Sequence, residues 1–428
     1  MQDTSKFWGE NHDQVLFKLC TELVRQQLGE DCAKIVEKLS EPVQDEQSLM
    51  NLCNMDQLKF RNAFGALSNA GIVTMDPTIA IIPVTIISYL TLPHFMNFAQ
   101  KFYIIPQDRD LIEILTTKII KVTTLTAPKL VDTLATEDPK FDRIRALKVT
   151  QHLIAKKVFI LTDKEEVNFN IQLFLVRLRL EALEKLVEYQ DHRVVEVIRA
   201  LFSPDFKEDA LIDCESLKVD HDEIIQALTA LTGMQQNEII GVLGILSSPD
   251  ICLFSRDFTI IQPMTAIHIF RIKRIAALLA EIGHPLARRV INMLLKNEQI
   301  ETIKFCDMLM LPKQDALNLL ATMQHLGVIT CEELEDAPHT TLKRKYRVWK
   351  IDLVSAINNA GAYLLAVIGS LMFQVEEEKR ENRSILDSKP ELSQKIETQT
   401  SRVMSERLKI LNNTIIDATK KYFEIHQL

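Results

Sequence analysis

Helix breakers and aromatic residues are scarce in this chain, which has 11 glycines, 14 prolines and 6% aromatics among 428 residues. With so little punctuation and abundant Leu and Ile, the balance favours helices. Ordered cysteine patterns are missing as well. The seven cysteines (Cys20, Cys32, Cys53, Cys214, Cys252, Cys306, Cys331) are an odd number, lie far apart and form no CxxC pair or Cys/His cluster. They read as reduced, mostly buried thiols of an intracellular protein. Positive charge is in deficit, with 50 Lys and Arg against 58 Asp and Glu and a formal net charge of −8. That deficit argues against a freestanding protein that coats nucleic acid through bulk electrostatics, so any DNA contact must be local or lent by a partner.

Catalytic signatures fail one after another. There is no glycine-rich phosphate loop with a Lys-Ser/Thr pair, no GxGxxG, no GxSxG and no HExxH. Asp220-His221-Asp222 is the nearest approach to a metal cluster, but adjacent helical residues point in different directions and cannot all ligate one ion. An acidic helix N-terminus is the better reading, and Asp108 and Asp110 are read as an ordinary acidic start to LIEILTTKII in the same way. No catalytic residue, cofactor, metal or small-molecule substrate is therefore expected. The N-terminal MQDTSKFWGENHDQ lacks a secretory signal, which leaves the cytosol or nucleus.

The segment 353–375 carries no charge and is long enough to span a bilayer. On a helical wheel, however, Leu353, Ile357, Ala360, Leu364, Ile368, Leu371 and Val375 form one stripe, while Ser355, Asn358, Asn359, Ala362, Ala366, Gly369 and Ser370 gather elsewhere. Paired asparagines facing lipid are expensive, so a packing helix is expected and no membrane. A second Ile-rich run, 78–92, is broken by Pro83 and reads as strand or wing.

A helical apolar pattern that runs straight into a β-branched exit occurs at 55–75, 141–163, 237–254 and 314–334, most clearly in ALNLLATMQHLGVIT (316–330). Gly71 and Gly327 sit where a helix needs a left-handed C-terminal residue, and the second and third copies lack that glycine. Upstream of the fourth copy, TIKFCDMLML gives a short helix ending near Met310, and Pro312 is pre-set for the first turn of the next helix. Pro139 is expected just inside the corresponding second helix of the second copy. Uneven spacing marks a tandem array, not a solenoid. Beyond Asp352 strand signals cease, and Met404, Leu408, Leu411, Ile415, Ala418, Tyr422 and Ile425 alternate steps of four and three, which is heptad spacing. Mainly α is thus the expected class: four extended winged-helix domains in tandem (1–105, 106–166, 167–263, 264–351), then a C-terminal α-helical coiled-coil hairpin (352–428).

Local basic clusters are the functional signal. The wing HTTLKRKYRVWK (339–350) carries Lys343, Arg344, Lys345, Arg347 and Lys350 without an acid of its own, so it could grip phosphates or be an ordinary solvated strand pair. Arg271, Lys273, Arg274, Arg288, Arg289 and Lys296 face only Glu281 in 270–296. A third patch comprises Arg143, Arg145, Lys148, Lys156 and Lys157. The DNA-contact candidates are Lys343, Arg344, Lys345, Arg347, Arg288, Arg289, Lys156 and Lys157.

LCTELVRQQLGEDCAKIVEKL (19–39), PLARRVINMLLKNEQIETIKFCDMLMLPKQDALNLLATM (285–323) and YRVWKIDLVSAINNAGAYLLAVIGSLM (346–372) resemble one family, the large winged-helix subunit of the peripheral heterotrimer of RNA polymerase III. The likeness covers the whole chain in layout but only these segments in residues, and the long polar insertions of relatives are missing. It implies a non-catalytic nuclear subunit of DNA-directed RNA polymerase III that aids promoter recruitment and holds melted DNA during initiation. Its partners would be a second winged-helix subunit, a small acidic subunit and the clamp of the largest subunit. A proteasome-lid scaffold subunit would carry one winged helix rather than four. The large subunit of general transcription factor IIE would carry a four-cysteine zinc ribbon, and no such spacing occurs.

Overall fold

This computed structural model describes residues 12–40, 42–69, 72–74, 79–81, 95–96, 99–100, 108–121, 125–137, 141–203, 206–207, 210–213, 216–335, 345–381 and 396–428. The fold is mainly α, with small antiparallel sheets of two or three strands. Two compact units emerge, each discontinuous in sequence. One comprises Met1–His12, Leu175–Tyr363 and Lys421–Leu428; the other comprises Asp13–Phe174 and Leu364–Lys420. The segment 352–428, expected as a domain of its own, is shared between them.

Within the Leu175–Tyr363 unit one order of elements occurs twice. Its fuller version runs helix Ala287–Asn297, strand Gln299–Glu301, helices Thr302–Leu309 and Lys313–His325, then strands Ile329–Glu335 and Lys345–Ile351. The last strand lies in the middle of a three-stranded sheet, with Ile300 and Cys331 both opposite Trp349. The indole Nε1 of Trp349 donates to Thr302 Oγ1 at 2.9 Å, tying that sheet to the start of the short helix. In the smaller version, helix His192–Leu201 is followed by the short helix Ala210–Asp213, strand Leu217–Lys218, helices His221–Thr232 and Gln236–Leu246, and strand Ile260–Ile261, which pairs back on Leu217–Lys218.

The Asp13–Phe174 unit carries the same order twice more. Helix Glu30–Lys38 leads to Val43, bridged to Ile79, then to helices Glu46–Cys53 and Gln57–Asn69 and to strands Val73–Thr74 and Ala80–Ile81. Helix Arg109–Lys121 leads to Thr126, bridged to Glu166, then to helices Ala127–Glu137 and Arg143–Ala155 and to strands Phe159–Leu161 and Val167–Phe169. That last hairpin runs across the boundary expected at 166.

Aspartates start several of these helices, because a carboxylate oxygen satisfies amides that have no partner in the first turn. Asp45 accepts from Ser48 N, Asp142 from Arg145 N, and Asp220 from both Asp222 N and Glu223 N. Asp220-His221-Asp222 is thus a capped helix start, and no group of three metal-ligating side chains occurs among the described residues. The cap at Asp142 also corrects the place of Pro139: the helix opens at Arg143, after the proline, which itself lies outside the described residues. Pro312 sits one position before its helix rather than within the first turn.

The exits from the second helix of each pair differ in an instructive way. Gly327 takes φ +67°, as a left-handed helix terminus requires. Gly71 lies outside the described residues. In the second copy Lys157 holds φ +59° without the help of a glycine, a conformation that costs an L-residue about 1–2 kcal/mol. Asn170 Nδ2 donates to Lys157 O at 2.8 Å and helps to hold it there. The third copy leaves its helix at Ser247, and the β exit expected within 237–254 shrinks to a single bridge from Phe254 to Ile261.

Helix Leu353–Glu381 is long and apolar enough to cross a membrane by length and composition alone. Ala360, Leu364, Ile368 and Val375 of the expected stripe are buried, but so are Ala356, Ala362, Tyr363 and Leu365. Ala362 was expected on the polar side; its small side chain lets the neighbouring structure close over it. Asn359 does not face solvent freely either, since its Nδ2 donates to Leu326 O at 3.0 Å. A Cβ placed on Gly327 would stand 2.3 Å from that Nδ2, so backbone conformation and space both demand glycine there. In helix Ile396–Tyr422 the heptad positions Met404, Ala418 and Tyr422 are buried. The connector 382–395 lies outside the described residues.

A π-helical turn, Phe423–Gln427, ends the chain inside the Leu175–Tyr363 unit, and Leu428 joins that unit's core beside residues such as Leu183, Val197 and Leu228. Glu424 is 2% exposed. Its carboxylate accepts from Lys185 Nζ at 2.5 Å and from Arg274 Nε at 2.8 Å. A carboxylate this deep is tolerated only when cations and donors reach it. Nearby, the rings of His12, Tyr422 and His426 gather in near-parallel planes, with the His426 centroid 4.3 Å from that of His12 and 5.2 Å from that of Tyr422.

Gly327→Ala is expected to destabilise the protein by about 1–3 kcal/mol, read from the urea midpoint at unchanged slope. Adding Asn359→Ala should recover the steric part of that loss and leave the conformational part; a Gly327→Ala protein as stable as the parent would refute the account. Glu424→Ala leaves two cations without their carboxylate and should cost about 2 kcal/mol, tempered by the partial exposure of both.

Candidate nucleic-acid interface

A strand that alternates basic and apolar residues presents its cations to whatever lies across the ladder. In Lys345–Ile351 the neighbour is Ile329–Glu335, and its register sets Glu333 opposite Arg347, Glu332 opposite Val348 and Glu335 opposite Lys345. Arg347 donates through Nε and Nη2 to Glu333 Oε1 at 2.9 and 2.8 Å. The hydrogen bond and the carboxylate charge raise the pKa of that guanidinium. Lys350 pairs with Glu332. Acids missing from 339–350 are therefore supplied by the facing strand, and Arg347 and Lys350 are compensated. Lys343 and Arg344 lie outside the described residues.

The 270–296 cluster meets more acid than Glu281. Arg274 is committed to Glu424. Lys273 donates to Asp250 O at 2.9 Å, and burial pulls its pKa below the usual lysine value against the opposing pull of Asp250. Lys296 stands 3.7 Å from Asp250 Oδ2, and Glu281 itself pairs with Lys421. In the third patch Arg145 binds the buried Asp108, and Arg143 lies 3.4 Å from Asp132. Asp108 is thus no ordinary solvated helix acid: at 3% exposure it is an internal anchor for Arg145. Lys156 and Lys157 are exposed, Lys157 with the strained backbone described above.

Arg288 and Arg289 remain. Helix Ala287–Asn297 buries Ala287, Val290, Ile291 and Leu294, which turns Arg288, Asn292 and Lys296 to the opposite face. No acid occurs in the helix. Arg288 and Arg289 are exposed, and Arg289 Nη2 donates to Met308 O at 3.3 Å. Arg288 makes no hydrogen bond or ion pair among the described residues. Around them opens a hollow of about 410 Å³, lined also by Pro285, Met293, Asn297 and Met308.

The sequence candidates that are described divide between the two units. Lys156 and Lys157 belong to one unit, and Arg288, Arg289 and Arg347 to the other. Asn292, Met293 and Met308 were not singled out from sequence. The signal for Asn292 was present in its four-residue spacing from Arg288 and Lys296, whereas Met308 comes from a separate helix. Asp108→Asn should lower stability by about 1–3 kcal/mol by leaving Arg145 without its carboxylate. Lys148→Ala on the same helix should stay within about 0.5 kcal/mol of the parent; equal effects in chemical denaturation would contradict the anchoring role. No family model matches the chain, and no curated protein matches it.

Proposed function

We propose that this chain is a non-catalytic nuclear subunit of DNA-directed RNA polymerase III, built as four winged helices in tandem with a C-terminal coiled-coil hairpin. Within that enzyme it would act in promoter recruitment and DNA opening beside a second winged-helix subunit, a small acidic subunit and the clamp of the largest subunit. The observation that carries the reading is the fourfold order of helix, extended residue or strand, helix, helix and returning strand, with two antiparallel strands after the helix pair in three copies and a single bridge plus one strand in the third. That is the order of a winged helix, and its exit at Ile351 leads straight into helix Leu353–Glu381, as the resemblance over 346–372 implies.

Support for the hairpin comes from two contacts. A Cβ on Gly361 would stand 2.8 Å from His426, and Glu378 pairs with Arg407 at 3.1 Å. As the first helix advances from 361 to 378, its partner position falls back from 426 to 407, as in antiparallel helices. An acidic total, with Arg145, Arg274, Arg347 and Lys350 of the basic clusters paired to carboxylates, suits a subunit whose DNA contacts form inside an assembly. A lid-type scaffold subunit of the proteasome would need only one such unit. Affinity purification of the tagged chain followed by mass spectrometry is expected to recover polymerase III subunits; recovery of proteasome-lid subunits instead would overturn the reading.

A further inference from the structure

The arginines at the start of helix Ala287–Asn297 differ from Arg145, Arg274 and Arg347, because they line a hollow that has no carboxylate in its lining. Arg288, Arg289 and Lys296 stand at its rim, and the acids nearest along the chain, Glu298 and Asp307, do not line it. Lys296 lies 3.7 Å from Asp250, a loose contact that a phosphate can outcompete. Arg288, Asn292 and Lys296 follow one another at four-residue steps, so the row of polar side chains advances by about 6 Å per step along the helix. The floor is of another kind: Pro285, Met293 and Met308 are apolar, and methionine is soft and adapts to flat rings.

Cations over an apolar hollow call for a ligand that carries anionic groups next to a flat apolar ring. A duplex offers phosphates but keeps its bases stacked inside, so the methionine floor would go unused. A lone acidic side chain would satisfy the arginines and also leave the floor empty. Single-stranded nucleic acid has both parts, since its bases are free to unstack onto protein side chains while the backbone follows a positive groove. About 410 Å³ is room for one base.

Resting on the nucleic-acid reading of the fourth unit, we propose that this hollow holds one unstacked base of single-stranded DNA, with Arg288 and Lys296 binding the flanking phosphates and Asn292 placed at the base edge. The helix Lys313–His325, which in a winged helix would be the reader of duplex DNA, is close to neutral, with one lysine, one aspartate and one histidine. The single-strand contact therefore lies on a different helix of the same unit, and the neutral helix is left for protein.

The test uses the full chain and a fluorescein-labelled twelve-residue oligothymidylate followed by anisotropy. Arg288→Ala/Lys296→Ala is expected to weaken binding at least tenfold with an unchanged unfolding midpoint, and to shrink the slope of log affinity against log salt by about 1.4. Lys350→Ala, whose ammonium is already paired with Glu332, serves as the control and should leave affinity within twofold. With the unaltered protein, the same strand carrying abasic central positions should bind at least fivefold more weakly, and the duplex likewise. Equal affinity for duplex and single strand, equal affinity for the abasic strand, displacement by a polyglutamate peptide as readily as by oligothymidylate, or no loss in the double variant would each overturn the proposal. If polymerase subunits still co-purify in that event, the assembly reading stands and only the hollow's role falls.

Discussion

The four helix pairs depend on a closing contact between an extended residue ahead of each pair and the last strand behind it. Val43 meets Ile79, Thr126 meets Glu166, Leu217 meets Ile261, and Ile300 meets Trp349. A two-stranded ribbon alone is marginal in water, and the strands here are mostly two or three residues long. The closing contact fixes where the ribbon lies against the helices, so that Ile79, Phe159, Ile261 and Val348 can be buried. Where the contact grows from one bridge into a full third strand, as in the fourth copy, the hairpin also lengthens, to seven residues a side. Reach and anchoring increase together.

Charge placement follows from that geometry. A long hairpin brings a basic strand opposite an acidic one and spends its cations there, while the first helix of the same unit keeps its polar face open. Arg347 and Lys350 of the most conspicuous basic run are thus the less available cations, and the quieter Arg-Arg pair at the start of Ala287–Asn297 is freer. Nothing local distinguishes the two, because Glu333 stands 14 positions from Arg347 in the sequence.

Periodicity made the helix pairs and their β exits legible, and the glycine at 327 marked its turn correctly, since both depend on residues close in sequence. The closing residues Val43 and Thr126 were illegible: one bridging residue has no period to detect. Absence of glycine misled at Lys157, where hydrogen bonding from Asn170 compensates for a backbone conformation that the side chain opposes. Asp108, Asp250 and Glu424 escaped for another reason, as each finds its cation in a distant segment. The expected apolar stripe of 353–375 captured half of what is buried, because a helix packed on more than one side has no polar face to read.

The burial of Glu424 has a bearing on the timing of folding. Its lysine partner lies 239 positions earlier and its arginine partner 150, so at ordinary rates of synthesis Lys185 emerges on the order of 10–50 s, and Arg274 on the order of 7–30 s, before their carboxylate. During that interval the surrounding core, which also needs Leu428, holds an opening flanked by two unmatched cations. The Leu175–Tyr363 unit is consequently a structure that completes itself late, once Glu424 has joined Lys185 and Arg274.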